Sequence, residues 1–279
     1  MKSTQLRRGT IPVESTSTQR APPESSTRVI PWETSGGDIT TPDVAVVFER
    51  IVTRFRIGWP ELFHQDEGSR RIRELVAHQR VSSDIDYERD AWSFTRAFFF
   101  KNLYKALVVL SRLQPELRSN MPVLDVGAGA GVATIAWASL YGVPVGGFTL
   151  VDLSAAQLDI ARRLISLLEI PETRYVIGSY PDILNAAGMQ RVFSYWFCEQ
   201  SADAIANFGA WGFTSNKAVG SVVIDYPDLV AAMTRNAVTA GCYVTTVHER
   251  VTPALAYRDL FNDSHFTAAA AYARCVDNT

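Results

Sequence analysis

The chain has 279 residues, of which 47% are hydrophobic and 20% charged, as is typical of a soluble globular protein. Its 27 lysines and arginines against 29 acidic residues give a net charge of −2, which does not favour a protein that wraps nucleic acid. No apolar run of about 18 residues is present, so no membrane-spanning helix is predicted. The three cysteines and four histidines are scattered. This spacing predicts neither a disulfide framework nor a metal site and favours a reducing cytosol.

The first part of the chain divides into a tail and a group of helices. Residues 1–40 are rich in Ser, Thr and Pro and have no regular apolar spacing, which predicts a disordered tail. From Pro42 onward, apolar residues recur at helical spacing. The pattern predicts a first helix there, a second over 70–79 and a long third over 87–113. Residues 41–119 are therefore predicted to form a helical cap subdomain.

After residue 120 the sequence alternates between strand and helix patterns. Strands are predicted at "PVLDVGAG", "GFTLVDLS", "TRYVIGSYP", "QRVFSYWFCEQ" and "SVVIDYPD", with amphipathic helices between them and two further strands at the end. This alternation builds a mostly parallel, doubly wound sheet, so the fold class is α/β. Ligands of such sheets bind at the carboxyl ends of the strands. Residues 120–279 are thus the predicted ligand-binding domain.

A glycine-rich motif follows the first strand directly. It reads Asp125-Val-Gly127-Ala-Gly129-Ala-Gly131 and opens a helix. Glycines let a backbone approach a ligand closely, and the helix behind them offers free N–H groups. A dinucleotide-binding turn requires G-x-G-x-x-G, whose last position falls here on Val132. The motif therefore disfavours NAD binding.

The second predicted strand ends in an acid, Asp152, within "LVDLSAAQLDIARR". A carboxylate at this place can accept hydrogen bonds from both hydroxyls of an adenosine ribose. Enzymes that bind NAD use such an acid too. Asp152 therefore indicates a particular cofactor only in combination with the glycine motif before it.

Together, the two segments resemble the class I S-adenosylmethionine-dependent methyltransferases, over about residues 120–275. The resemblance implies a Rossmann-like methyltransferase fold with a seven-stranded sheet, S-adenosylmethionine as cofactor and no metal. The cofactor contacts that it implies lie in the glycine motif and after the second, third and fourth strands. They are Asp125, Gly127, Ala128, Gly129, Gly131, Asp152, Leu153, Ser179, Tyr180 and Cys198. Ser179 and Tyr180 replace an acidic pair that often contacts the adenine in this family.

Two residues are candidates for the chemistry. Glu199 follows the fourth strand, where the family places groups near the substrate, and is interpreted as a general base or hydrogen-bond acceptor. The alternative is that Glu199 belongs to the start of the next helix. His248 lies within a late strand, where a structural histidine is the competing interpretation.

The function predicted from the resemblance is methyl transfer to an O or N atom of a small organic substrate, in the cytoplasm. A small molecule is the expected partner, a membrane and nucleic acid are not, and a homodimer is left open. Two alternatives remain: a methyltransferase acting on RNA or protein, and a non-catalytic binding or scaffold subunit with the same fold.

Overall fold

The computed structural model describes the chain from residue 43 onward with several gaps. The described residues are 43–78, 85–113, 121–179, 188–196, 198, 200, 205, 220–254, 257–261, 263 and 265–274. The predicted tail at residues 1–40 lies outside them. Among them, helices α1 (Val44–Gly58), α2 (Glu67–His78) and α3 (Ala91–Arg112) precede the sheet, with a 3-10 turn at Pro60–Phe63.

The ends of these helices follow from local capping. The Asp43 side chain accepts the N–H of Ala45 at 2.9 Å, which starts α1. The third helix begins four residues later than predicted. The reason is a turn in which the Asp86 carboxylate accepts the N–H groups of Glu88 and Arg89, at 3.0 and 3.1 Å. These bonds hold the segment before Ala91 outside the helix.

The described strands form one seven-stranded sheet in the order β3-β2-β1-β4-β5-β7-β6. Strands β1 to β5 pair in parallel, and β7 runs antiparallel to both β5 and β6. The strands are β1 (Val123–Val126), β2 (Phe148–Asp152), β3 (Thr173–Ile177), β4 (Gln190–Ser194), β5 (Gly220–Asp225), β6 (Tyr243–Val251) and β7 (Phe266–Arg274). The predicted doubly wound, mostly parallel sheet is confirmed.

Helices that follow the strands cover the sheet. They are α4 (Val132–Tyr141), α5 (Ala155–Leu167), α6 (Pro227–Thr239) and the short α7 (Arg258–Phe261). One core cluster joins α1, α3, α4 and α5 to one face of the sheet and includes Phe48, Leu107 and Phe148, all fully buried. A second cluster packs α6 on the other face, through Met233 against Val223. The cap helices therefore share a core with the sheet.

A stack of two indoles with an arginine at each end also joins the cap to α5. Trp59 and Trp92 stack with ring centroids 4.6 Å apart. Arg163 of α5 lies 3.8 Å from the Trp59 ring, and Arg96 of α3 lies 4.5 Å from the Trp92 ring. Such contacts add about 0.5–1 kcal/mol each at exposed sites and more when desolvated.

The cysteines differ from the expectation of no disulfide. Cys198 is a buried thiol outside any disulfide, whereas Cys242 is disulfide-bonded. The spacing of cysteines along the chain could not show this, because antiparallel pairing of β6 with β7 brings distant residues side by side, as at Tyr243 and Arg274. The cysteines therefore give no support to a cytosolic location. Across the described ranges, no helix is both long and apolar enough to cross a membrane.

Candidate functional site

The glycine motif forms a loop that only glycine can build. Gly127, Gly129 and Gly131 have φ values of +61°, +51° and +78°, in the left-handed region that disfavours side chains. A Cβ on Gly127 would stand 2.3 Å from Cδ1 of Trp196. The Ala128 N–H donates to Val151 O at 3.0 Å and ties the loop to β2. Trp196 therefore packs against Gly127, whereas a Cβ on Gly129 would meet nothing nearer than Gln157 Oε1, at 3.9 Å.

Asp125, at the head of the motif, is completely buried beneath this loop. Its Oδ2 accepts hydrogen bonds from the N–H and the hydroxyl of Thr134, at 3.1 and 2.8 Å. Burial raises its pKa to about 7, against the lowering effect of the Thr134 bonds. The carboxyl therefore holds the first turn of α4, and its Oδ1 has no hydrogen-bond partner among the residues that the structure describes.

Asp152, at the end of β2, joins the loop to the start of α5. Its Oδ2 accepts the N–H of Gly129 at 2.8 Å, and its Oδ1 accepts the N–H of Ser154 at 2.9 Å. Burial raises its pKa, opposed by these backbone bonds and reinforced by the charge of Glu88. The backbone N–H of Leu153 also bonds to this carboxylate. A carboxylate offers about four acceptor positions, so not all of them are taken by the backbone.

The segment before α3 closes over the same region from the cap. Glu88 accepts the Ser154 hydroxyl at 2.8 Å and the Ala156 N–H at 3.2 Å. Behind it, the buried Gln157 donates to Ala91 O at 3.3 Å. These contacts fix the cap to the N-terminus of α5, next to Asp152. The sequence analysis missed Glu88, because only the fold brings it near residues some 66 positions later.

Apolar side chains flank Asp152 on the surface. Leu153 is 74% exposed, and Ile177, paired with Asp152 across β2 and β3, is 66% exposed. Ser179 follows two residues after Ile177 and is half-buried. The predicted Tyr180 lies outside the described residues. An exposed apolar pair beside an acid suits a planar ring attached to a sugar.

A second group of unusual residues lies at the ends of β4 and β5, called here the β4–β5 edge. Tyr195 follows β4 with a φ of +55°, rare for a bulky residue. Burial raises its pKa well above the ordinary value, with Asp225 and Tyr226 adding to the effect. The Cys198 N–H donates to Asp225 Oδ2 at 3.2 Å, and its thiol donates to Tyr195 O at 2.9 Å. Strained, buried polar groups of this kind concentrate at functional sites.

Lys105 of α3 reaches this edge from the cap. It is only 8% exposed, and its Nζ lies 5.5, 6.0 and 5.6 Å from the ring centroids of Tyr195, Tyr226 and Phe266. Burial lowers its pKa to about 8, and the charge of Lys101 acts in the same direction. The sequence analysis did not select it. The sequence feature that could have identified Lys105 is its position in a helix whose neighbouring residues are apolar.

Of the two predicted catalytic residues, only His248 lies among the described residues. Glu199 lies outside the described residues. His248 is an exposed residue of β6, the edge strand, and pairs with Ala269 of β7. Strands β7 and β5 separate β6 from β4, a distance of roughly 14 Å at 4.8 Å per strand. His248 pairs with Ala269, which pairs with Asp225 in turn, so His248 lies two strands, roughly 10 Å, from the β5 end of the β4–β5 edge and farther from the glycine loop.

Comparisons with known proteins were informative at the level of structure. No protein-family model matches the chain. No curated protein matches it in sequence. Similar solved structures include precorrin-6y C5,15-methyltransferase from Geobacter metallireducens, at 13% identity over 58% of this chain and 84% of that chain, with a TM-score of 0.42.

Two further structures have other acceptors. A protein assigned as an RNA methyltransferase from Pyrococcus horikoshii is 14% identical over 63% of this chain and 86% of that chain, with a TM-score of 0.44. An arsenic(III) S-adenosylmethionine methyltransferase from Chlamydomonas reinhardtii is 16% identical over 63% and 74%, with a TM-score of 0.41. In this chain, the order β3-β2-β1-β4-β5-β7-β6, with β7 reversed, is the seven-stranded, mostly parallel sheet predicted from the sequence.

Proposed function

We propose that this protein transfers a methyl group from S-adenosylmethionine to an O or N atom of a small organic substrate. The observation that carries the proposal is the arrangement around Asp152. Its carboxylate is fixed to the glycine loop through Gly129, retains acceptor positions, and is flanked by the exposed Leu153 and Ile177. An acid beside an apolar surface at the end of β2 matches the chemistry of an adenosine.

The residues of the loop also fit this cofactor. Gly127 and Gly129 leave backbone without side chains at the carboxyl edge of the sheet. The buried Asp125 has an Oδ1 atom without a hydrogen-bond partner in the described part of the chain, and the N-terminus of α4 lies behind the loop. Exposed N–H groups of a helix start suit a carboxylate, and an acid suits an ammonium group. The amino-acid part of S-adenosylmethionine carries a carboxylate and an ammonium group, so it requires both the N–H groups and the acid.

S-adenosylmethionine supplies an electrophilic methyl group when it is bound. In the proposed reaction Asp152 binds the ribose hydroxyls, the glycine loop accommodates the amino-acid part, and Leu153 and Ile177 contact the adenine. The cap, fixed by Glu88 to the start of α5, limits access of water to the site. Alignment and exclusion of water matter more for a methyl displacement than a strong acid or base does.

A small acceptor is proposed because the surface shows little sign of a nucleic-acid site. The net charge is −2. Three arginines lie close together on α2, at Arg70, Arg71 and Arg73, and Arg71 forms an ion pair with Asp90 at 3.0 Å. A protein that binds RNA through its phosphates shows affinity that falls steeply with salt. Acceptor binding by this protein is expected to change little between low and moderate salt.

Calorimetric titration with S-adenosylmethionine, S-adenosylhomocysteine and NAD tests the proposal. We expect micromolar binding of the two sulfur compounds and none of NAD. Asp152→Asn should weaken binding by roughly 2–4 kcal/mol, as for loss of charge-assisted hydrogen bonds. Asp159→Asn, an exposed acid of α5, is the matched control and should bind like the wild type.

Two results would contradict the proposal. One is the absence of binding of either sulfur compound by the folded protein, which would favour a scaffold role. The other is equal affinity of the Asp152 variant and the wild type, which would remove the ribose from this edge. Because Asp152 also holds Gly129, the thermal unfolding of each variant is measured in parallel.

A further inference from the structure

The β4–β5 edge holds a buried cation that the proposed cofactor site does not use. Lys105 enters it from α3, and the rings of Tyr195, Tyr226 and Phe266 surround its Nζ at 5.5–6.0 Å. The edge adjoins the glycine loop directly, because β4 pairs with β1 and Trp196 touches Gly127. A ligand at this edge would therefore lie beside anything bound at the loop.

The charged groups around Lys105 are already engaged with others. Asp263, after α7, forms an ion pair with Lys101, one turn earlier on α3. Asp225, at the end of β5, accepts the N–H groups of Tyr226 and Cys198, at 2.8 and 3.2 Å. Among the described residues, Lys105 forms neither a hydrogen bond nor an ion pair.

A buried amine without a hydrogen-bonded acid either loses its proton or pairs with an anion that enters the site. Aromatic walls bind planar, apolar groups, and a single amine among them binds one acidic oxygen. An acceptor that combines both properties is a phenol or a related planar molecule with an acidic hydroxyl.

Resting on the methyltransferase function proposed above, we propose that Lys105 is the acceptor-binding residue of an O-methylation site for phenols. Its uncharged amine takes the proton of the acceptor hydroxyl and, as an ammonium, holds the resulting oxyanion. The oxygen then bonds to the methyl carbon, and the electron pair of the breaking C–S bond stays on sulfur. The products are a methyl ether, a neutral thioether and an ammonium that returns its proton to water.

Lys105 is suited to this step by its surroundings. Its pKa of about 8 leaves a fraction of the amine uncharged near neutral pH, as a general base requires. The groups that face it are Lys101 on its own helix, Asp263, and Asp225 with Cys198 at the edge. The two acids raise its pKa, and burial with Lys101 lowers it.

Binding of 4-nitrophenol tests the site without turnover, because the visible absorbance of its anion reports ionisation. The probe is titrated with protein in slightly acidic buffer, where most of the free phenol is protonated. The wild type should bind the probe as the anion. Lys105→Met should weaken that binding roughly 10- to 100-fold, the range for losing one charge-assisted hydrogen bond.

Two variants separate this role from simple packing. Lys105→Arg keeps a cation, so it should retain most of the anion binding that Lys105→Met loses. A residue that only fills space would show the opposite order, since methionine fits an apolar cage better than a guanidinium. Arg112→Met, seven residues later on α3 and paired with Glu249 at 3.3 Å, is the control and should bind the probe within a few-fold of the wild type.

Calorimetry with S-adenosylhomocysteine distinguishes failure of this inference from failure of the cofactor proposal. Lys105→Met should bind that compound like the wild type. The acceptor site alone would be overturned if the wild type binds S-adenosylhomocysteine but does not bind nitrophenol. It would also be overturned if the wild type and Lys105→Met bind nitrophenol equally well. Lys105-dependent nitrophenol binding without cofactor binding would support the phenol site and overturn the methyl-transfer step.

Discussion

At the residue scale, two glycines with positive φ values differ in what an added side chain would contact. Gly127 has φ +61° and would place a Cβ 2.3 Å from Trp196, whereas Gly241 has φ +79° and nothing within 4 Å of a Cβ. A left-handed conformation costs an alanine roughly 1–2 kcal/mol at either position. The contact with Trp196 is an added cost at Gly127 alone.

We therefore expect Gly127→Ala to lower the free energy of unfolding by more than Gly241→Ala does, and to weaken S-adenosylhomocysteine binding at least about tenfold, about 1.4 kcal/mol. Gly241→Ala should lose stability only. Urea unfolding and calorimetry measure the two effects. Equal losses of affinity in both variants would show that the strain, and not the open face of the loop, governs binding.

Lys105 illustrates a cost in stability that a functional residue carries. Its pKa is lowered from 10.5 to about 8, so the folded protein is penalised for the charge below pH 8. Between pH 8 and 10.5 the unfolded chain binds more protons than the folded one, and stability rises with pH. The full penalty is at most about 3 kcal/mol, at 1.36 kcal/mol per pKa unit.

Lys105→Met should therefore raise the free energy of unfolding at pH 7 by about 1–3 kcal/mol, as when a buried charge is replaced by an apolar side chain of similar size. The gain should shrink as the pH rises from 8 to 10.5. Urea unfolding at pH 7 and pH 10 measures this, with Arg112→Met, an exposed cation at the end of the same helix, as the control. A stabilisation that is the same at both pH values would point to packing instead of charge.

At the scale of elements, the cap is joined to the sheet domain by an acid at a helix start. Glu88 accepts the Ala156 N–H and the Ser154 hydroxyl at the N-terminus of α5. A negative charge there also interacts favourably with the helix dipole. Glu88→Ala should lower the free energy of unfolding by about 1 kcal/mol, the usual effect of losing a cap.

The same change should speed hydrogen exchange at Ala156, because its N–H loses its acceptor. Glu74→Ala, an exposed residue of α2, is the control and should leave that exchange unchanged. Glu88→Gln keeps an acceptor oxygen and should lie between the two. Unaltered exchange at Ala156 in Glu88→Ala would mean that water replaces the carboxylate without loss.

The elements predicted from the sequence are those whose signals are local. The buried strand before Gly127 and the acid that ends β2 could be located because each lies within a few residues of its own pattern. Lys105 could not, because its meaning depends on Tyr195 and Phe266, which lie on other elements. The same holds for Glu88. Periodicity shows that α3 is apolar, but not which strand end one of its side chains reaches.

For the whole molecule, two buried groups with opposite ordinary charges shape the dependence of stability on pH. Burial raises the pKa of Asp125 from 3.8 to about 7 and lowers that of Lys105 to about 8. Between pH 4 and 7 the folded protein binds more protons at Asp125 than the unfolded chain, so its contribution falls as pH rises. Between pH 8 and 10.5 the contribution of Lys105 increases. The summed contribution of Asp125 and Lys105 to the free energy of unfolding is therefore predicted to be lowest near pH 7–8.

Asp125→Asn isolates the acidic side of this curve. The wild type should lose up to about 4 kcal/mol of this contribution between pH 4 and pH 7, from 1.36 kcal/mol per pKa unit, and the variant should not. Urea unfolding at half-unit pH steps measures the difference between the two proteins, with the exposed Asp159→Asn as control. Because the asparagine keeps an oxygen to accept from Thr134, α4 should start at the same place. Parallel curves for Asp125→Asn and wild type would mean that the carboxyl beneath the glycine loop is ionised throughout this range, and that the loop tolerates a buried negative charge.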